Sequence, residues 1–150
     1  MDNFNNKKDI KKILLDFDGV LTDGKIFYTH DGEQFKGINT KDIRAIRELI
    51  SYGYEVIILT ASNWPGSKFF AKKTGAEIIV LKDKGKYIQN LKEKYIAVGD
   101  DVWDLSLIEK SYRFFAPKNA DKILKKYKKV EFLKTNGGDG IIAELVWLLK

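Results

Sequence analysis

The sequence contains no cysteine and a single histidine, His30. Without thiols there is no disulfide framework, no zinc-thiolate site and no cysteine nucleophile, and one imidazole is too few for a multi-histidine metal centre. Any metal ion must therefore be held by oxygen. Arginine is also scarce. Of 27 basic residues only Arg44, Arg47 and Arg113 carry the bidentate fork that reads guanine or phosphate. The net charge of +6 permits attraction to polyanions, but the lysines are spread from Lys7 to Lys150. The densest group, Lys125, Lys126, Lys128 and Lys129, reads as a solvated helix end where cations suit the negative end of the dipole. Neither a nucleic-acid nor a membrane partner is expected. No apolar run approaches the ~20 residues of a membrane span. The N-terminal stretch MDNFNNKKDIKK is polar and lacks the apolar centre of a secretory signal. A cytoplasmic location is expected.

What is present is enough for one core. With 150 residues, 44% hydrophobic and 13% aromatic, the expectation is a single domain over residues 1–150. Short apolar runs alternate with segments of helical period, the pattern of a parallel sheet covered by helices. The predicted strands are Ile10–Asp16, Glu55–Thr60, Glu77–Leu81, Tyr95–Gly99 and Tyr112–Ala116. The predicted helices are Asp42–Tyr52, Ser67–Thr74, Gly85–Lys94, Asp104–Lys110, Ala120–Tyr127 and Ile141–Leu149. The fold class is thus α/β, a doubly wound, Rossmann-like parallel sheet of five strands. Between Gly24 and Gly37 the segment GKIFYTHDGEQFKG breaks the rhythm. Alternation around Asp31-Gly32 predicts a projecting β-hairpin.

Ligands of such sheets bind beyond the carboxyl ends of the strands. The first strand runs into DFDGVLTDG, so Asp16 and Asp18 leave the sheet two residues apart. The fourth ends in GDDVWD, bringing Asp100, Asp101 and Asp104. Single aspartates at such places are commonly turn formers or helix N-caps. Two such pairs after two strands of one parallel sheet would instead repel unless a cation or proton is shared, and a hard divalent ion such as magnesium resolves that cost. Asp101 and Asp104 could cap or orient the next helix rather than touch metal. Carboxylates with magnesium suit chemistry on phosphate if other groups hold the phosphoryl oxygens. Thr60, at the end of the second strand, is a candidate for that task or a helix cap. Lys84 opens a helix against its dipole, a local fault that an anionic substrate would justify; Lys82 and Lys86 compete for the role.

In chain order DFDGVLTDG, Thr60, Lys84 and GDDVWD resemble the four motifs of the haloacid dehalogenase superfamily of phosphatases and phosphotransferases. DGVLTDGKIFY, GEQFK, the KDIRAI segment with Asp42, and TNGGDGIIAEL resemble one capless branch. That branch comprises the sugar-acid phosphatases of the 3-deoxy-D-manno-octulosonate 8-phosphate type and the phosphatase domain of acylneuraminate cytidylyltransferases. The resemblance spans Ile10 to Lys150 and implies a magnesium-dependent phosphomonoesterase without a cap domain. It implies Asp16 as nucleophile, Asp18 as general acid and base, and Thr60 and Lys84 as phosphate ligands. Magnesium would sit on Asp16, the backbone carbonyl of Asp18 and Asp100, with Asp101 and Asp104 behind them. It also implies a homotetramer in which hairpins pack together and a C-terminal segment helps close the next subunit's site; Asn136–Gly140 is flexible enough for such a role. Where that branch has Thr-Gly-Arg, this sequence has Thr60-Ala61-Ser62, so the grip on a substrate carboxylate is altered. That change motivates an alternative, a weakened phosphosugar-binding or oligomerising partner of a nucleotide-sugar enzyme. Outside the motifs, His30 reads as a turn residue, Trp64 as lining the substrate mouth or packing at the sheet edge, and Trp103 and Trp147 as core or interface.

Overall fold

A computed structural model describes residues 9–150; the polar stretch over residues 1–8 lies outside the described residues. The chain forms β1 (Lys12–Leu15), β2 (Phe27–Tyr28), β3 (Gln34–Phe35), α1 (Thr40–Ser51), β4 (Glu55–Thr60), α2 (Pro65–Thr74) and β5 (Glu77–Val80). It continues through α3 (Lys84–Gln89), β6 (Tyr95–Val98), β7 (Arg113–Ala116), β8 (Val130–Phe132) and α4 (Ile141–Leu149). All pairings in the main sheet are parallel, in the order β5-β4-β1-β6-β7-β8. Counting only those strands, this is the 3-2-1-4-5-6 order of a doubly wound fold, whose switch point lies beside β1.

β1 shows why the sheet is covered on both faces. Ile13 and Leu15 enter one core with Ile46, Leu49, Phe70 and Ile142, beneath α1, α2 and α4. Leu14 points to the opposite core with Ile57, Tyr95, Leu107 and Phe114, beneath α3 and the 3-10 turns. The strand's period of two thus distributes a continuous apolar run between two layers.

Among the described residues the sheet has six strands, not the five read from the sequence. β8 pairs Val130 with Phe114 and Phe132 with Ala116. At three residues around Glu131 it is too short and too polar to signal a strand; Arg113 holds that glutamate at 2.8 and 2.6 Å. Three predicted helices also change. α3 ends at Gln89, because Asn90 stops it and Leu91 turns back onto the core. The segments after β6 and β7 are 3-10 helices, Val102–Leu107 and Lys122–Lys126.

The hairpin forms where Asp31-Gly32 predicts it, with Phe27 opposite Phe35 and the turn closed by Thr29 and Glu33. His30 lies at its exposed tip, 2.8 Å from Asp31. Phe27 and Tyr28 are 60% and 62% exposed. Trp103 and Trp147 are not core residues: they stand 70% and 75% exposed.

Two glycine contacts tie the C-terminal segment to the chain's own first turn. A side chain on Gly137 would lie 1.8 Å from the Gly19 carbonyl oxygen, and the Gly138 amide donates to Val20 O at 2.9 Å. Asn136–Gly140 is therefore packed against Gly19–Asp23 rather than free. Next to it α4 starts at Gly140 with no side-chain cap of its own. Asp42 of α1 supplies one across the structure, its Oδ1 accepting the amides of Ile142 (2.8 Å) and Ala143 (3.3 Å). Among the described residues no helix is long and apolar enough to cross a membrane.

Candidate active site

β1 extends past its last strand residue through Asp16, whose amide donates to Val98 O at 3.0 Å. The chain then turns sharply: Leu21 and Thr22 both donate to Phe17 O. Gly19 makes the turn possible twice over. Its φ of +83° is a left-handed conformation, and a side chain there would meet the Asp100 carboxylate at 1.8 Å. On the neighbouring strand, β6 delivers Asp100 beside Asp16 because β1 and β6 pair in register, Leu15 with Val98.

Asp16, Asp100 and Asp104 converge so that one oxygen from each lies within 4.8 Å of the others. Lys84 enters the same cluster, its ammonium 2.9 Å from Asp16 Oδ1 and 2.6 Å from Asp104 Oδ1. The helix start that seemed unfavourable for a lysine is thus occupied by a buried ion-pair partner. Lys82 lines the same cavity, whereas Lys86 is exposed and away from it.

The two outer aspartates differ. Asp101 accepts Trp103 N at 2.9 Å and caps the 3-10 turn. Asp104 is buried, and its Oδ2 accepts the amides of Asp100 (2.9 Å) and Asp101 (3.4 Å). Both Asp104 oxygens are therefore engaged, and it fixes the loop that presents Asp100.

Fully ionised, three carboxylates against one ammonium would leave two negative charges uncompensated in a largely buried cluster. Burial, reinforced by the Asp104 charge, pushes the Asp16 carboxyl well above the ordinary range although Lys84 pulls it down. Burial likewise pushes Asp100 up to about 7, against the contact with Asp16 and with the Asp104 and Asp101 charges adding to it. Burial pulls the Lys84 ammonium down, but Asp16 and Asp104 outweigh it and the net shift is upward. Asp100 Oδ1 is buried with no hydrogen-bond partner among the described residues. An oxygen-only donor set, an orphaned carboxylate oxygen and a deficit of two positive charges fit a hard divalent cation.

A cavity of about 360 Å3 opens over this cluster, with Asp16, Asp18, Thr60, Ser62, Lys82 and Lys84 among its walls. Asp101 and Trp103 complete its rim. Thr60 does not cap α2. Its hydroxyl accepts Ser62 N at 3.1 Å, tightening the turn after β4, while α2 starts at Trp64 and Pro65 without a side-chain cap. Ser62 also borders a second open cavity, of about 640 Å3, between the hairpin and the Asn63–Pro65 loop. Trp64 both lines that cavity and packs inward, 6.0 Å from the Phe17 ring.

One residue of the site escaped the sequence reading. Lys36, at the end of β3, places its ammonium 2.9 and 3.0 Å from the two Asp18 oxygens and 3.4 Å from Ser62 Oγ. Its only signal was a lysine closing a hairpin strand in a chain with acids elsewhere, and that signal carries no distance.

No family model matches the chain. The chain is 30% identical over 148 residues to the 3-deoxy-D-manno-octulosonate 8-phosphate phosphatase KdsC of Haemophilus influenzae, covering 92% of this chain and 81% of that protein. A solved structure described as a probable YrbI family phosphatase of Pseudomonas syringae superposes with a TM-score of 0.86 at 29% identity, over 96% of this chain and 86% of that one. The fold is also that of the Moraxella catarrhalis 3-deoxy-D-manno-octulosonate 8-phosphate phosphatase, solved with magnesium, phosphate and KDO. That match has a TM-score of 0.86 at 24% identity, over 96% and 87% of the two chains. These relatives show a phosphoric monoester hydrolase built on a doubly wound α/β fold. Within that class the chain belongs to the KdsC family of phosphatases.

Proposed function

We propose that the protein is a magnesium-dependent phosphomonoesterase acting on a small sugar-acid phosphate, of the octulosonate 8-phosphate or 9-phosphorylated nonulosonate type, through an aspartyl-phosphate on Asp16. The observation that carries this reading is the meeting of Asp16 and Asp100 with Lys84 at adjacent strand ends, under a cavity that also contains Asp18 and Thr60. The substrate class follows from the relatives of the KdsC family, whose names give an octulosonate phosphate.

In this mechanism an Asp16 oxygen attacks phosphorus in line, the bond to the leaving oxygen breaks, and Asp18 supplies the proton that oxygen needs. Asp18 then takes a proton from water, the water oxygen attacks the phosphorus of the acyl phosphate, and Asp16 and inorganic phosphate are released. Thr60 and Lys84 hold the other phosphoryl oxygens. Asp16, the Asp18 carbonyl and Asp100 would hold magnesium, with Asp104 and Asp101 fixing the loop behind. The ion supplies charge neutralisation between the anionic nucleophile and the anionic phosphate.

The deciding experiment pairs wild type with Asp16→Asn on a panel of phosphosugars, with and without magnesium. Magnesium-dependent phosphate release by wild type and its loss in the near-isosteric variant is the expected result. Turnover by the variant at the wild-type rate would remove Asp16 from the nucleophile role.

We also propose that the exposed Ile26, Phe27, Tyr28 and Phe35 of the hairpin are buried between copies of this chain in a homotetramer. An isolated two-stranded ribbon is marginal in water, and four large apolar side chains on one give a reason for self-association.

A further inference from the structure

We infer that Lys36 is a positioning residue: it aims the Asp18 carboxylate into the catalytic cavity and thereby makes the acid-base step depend on how the β-hairpin is seated. This inference rests on the acid-base reading of Asp18. Its support is geometric. Lys36 is carried by the hairpin rather than by the sheet, yet its side chain is only 1% exposed. Its ammonium donates to both Asp18 oxygens at 2.9 and 3.0 Å and to Ser62 Oγ at 3.4 Å, which accounts for all three N–H groups. The Trp64 ring lies beneath it, 5.2 Å from ammonium to centroid.

Apart from this lysine, the Asp18 side chain has one hydrogen-bond partner among the described residues, Thr22 Oγ1 at 3.4 Å. A carboxylate on a tight turn with one long hydrogen bond can rotate about its side-chain torsions. Two short charge-assisted contacts from a single ammonium hold it in one orientation. The hairpin is itself pinned to the loop after β4, for the Trp64 indole donates to Gln34 O at 3.4 Å. Trp64 is in turn packed on Phe17, the residue between Asp16 and Asp18. Lys36, Trp64 and Phe17 thus connect the projecting ribbon to both sides of the acid-base carboxylate.

The lysine does not replace the missing arginine as a substrate grip in this account, because its donors are already satisfied. Kinetics separate the two roles. Lys36→Met keeps the aliphatic stem and removes the charge. If Lys36 positions Asp18, kcat falls by about 10- to 100-fold while KM stays within about threefold, the range for displacing an acid-base group. A rise in KM with kcat retained would show that the lysine binds substrate, and would overturn the proposal, as would unchanged kinetics.

A double-variant cycle supplies the second readout. Asp18→Asn with Lys36→Met should be no slower than Asp18→Asn alone, because the lysine then has nothing to aim. Loss by the same factor in both backgrounds would refute action through Asp18. If the Met variant loses its hairpin, Lys36→Ala assayed with added ethylammonium serves instead. Partial recovery of kcat in that variant, but not in one also carrying Asp18→Asn, is expected; no recovery would count against the proposal. The underlying reading fails separately: wild type would be inactive, or Asp18→Asn would turn over like wild type.

Discussion

Replacing Asp100 by asparagine should make the metal-free protein more stable while destroying its activity. Asp100 lies against Asp16, its Oδ1 has no hydrogen-bond partner, and its carboxyl is pushed up to about 7 by burial and by neighbouring negative charge. A folded-state value above the ordinary 3.8 means that the folded protein binds a proton the unfolded chain has lost. Stability linked to Asp100 is therefore complete below about pH 4 and is lost as pH rises through about 7. The gap corresponds to an upper bound of about 4 kcal/mol above pH 7. Asparagine removes the charge and offers an N–H to Asp16, but buries an amide, which costs about 1–3 kcal/mol if poorly paired. A net gain of about 2 kcal/mol, or about 6 °C in Tm for a chain of this size, is expected at pH 8. Magnesium should reverse the order. At a hundredfold excess over Kd it would stabilise wild type by about 2.7 kcal/mol and leave the variant unmoved. The assay is thermal and urea unfolding of both proteins from pH 4 to 8, with chelator or magnesium. A variant less stable than wild type without metal, or equally stabilised by magnesium, would refute the account of the cluster as an unneutralised cation site.

Asp42 gives a second pH-linked test, at the start of α4 rather than in the active site. Burial raises it to about 6 against the two amide hydrogen bonds it accepts, and its Oδ2 is buried without a partner among the described residues. Asp42-linked stability should fall between about pH 4 and 6, by about 3 kcal/mol at most. Asp42→Asn keeps an acceptor for Ile142 and Ala143, so its stability relative to wild type should rise across that window in urea titrations. A flat or falling difference would mean that the helix start holds the carboxylate charged. For the hairpin, light scattering should give about four times the 17.2 kDa chain mass, and Phe27→Asp with Tyr28→Asp should lower it. A wild-type mass of a single chain would exclude the tetramer.

The amino-acid order alone set the layer plan. Largely apolar segments of four to six residues, such as KILL and EVIILT, interrupted by helical periods, define strands buried on both faces and hence a parallel sheet. It also placed Asp16, Asp18, Asp100, Asp101 and Asp104 after strands, because side chains that follow a strand reach the sheet's carboxyl rim whatever the rest of the chain does. Periodicity carried less information for short or polar elements. β8 has three residues and one of them is charged, and the 3-10 turns after β6 and β7 share the apolar spacing of α-helices. Only tertiary structure decided which charges meet. Lys84 became a buried partner of Asp16 and Asp104 because α3 packs against the 3-10 turn that carries Asp104. Lys36 reached Asp18 from 18 residues away because the hairpin folds back over the site. Asp42 caps a helix that begins a hundred residues later. Such pairings leave no mark in local sequence, since the energy of a buried charge depends on what the fold brings within a few ångströms of it.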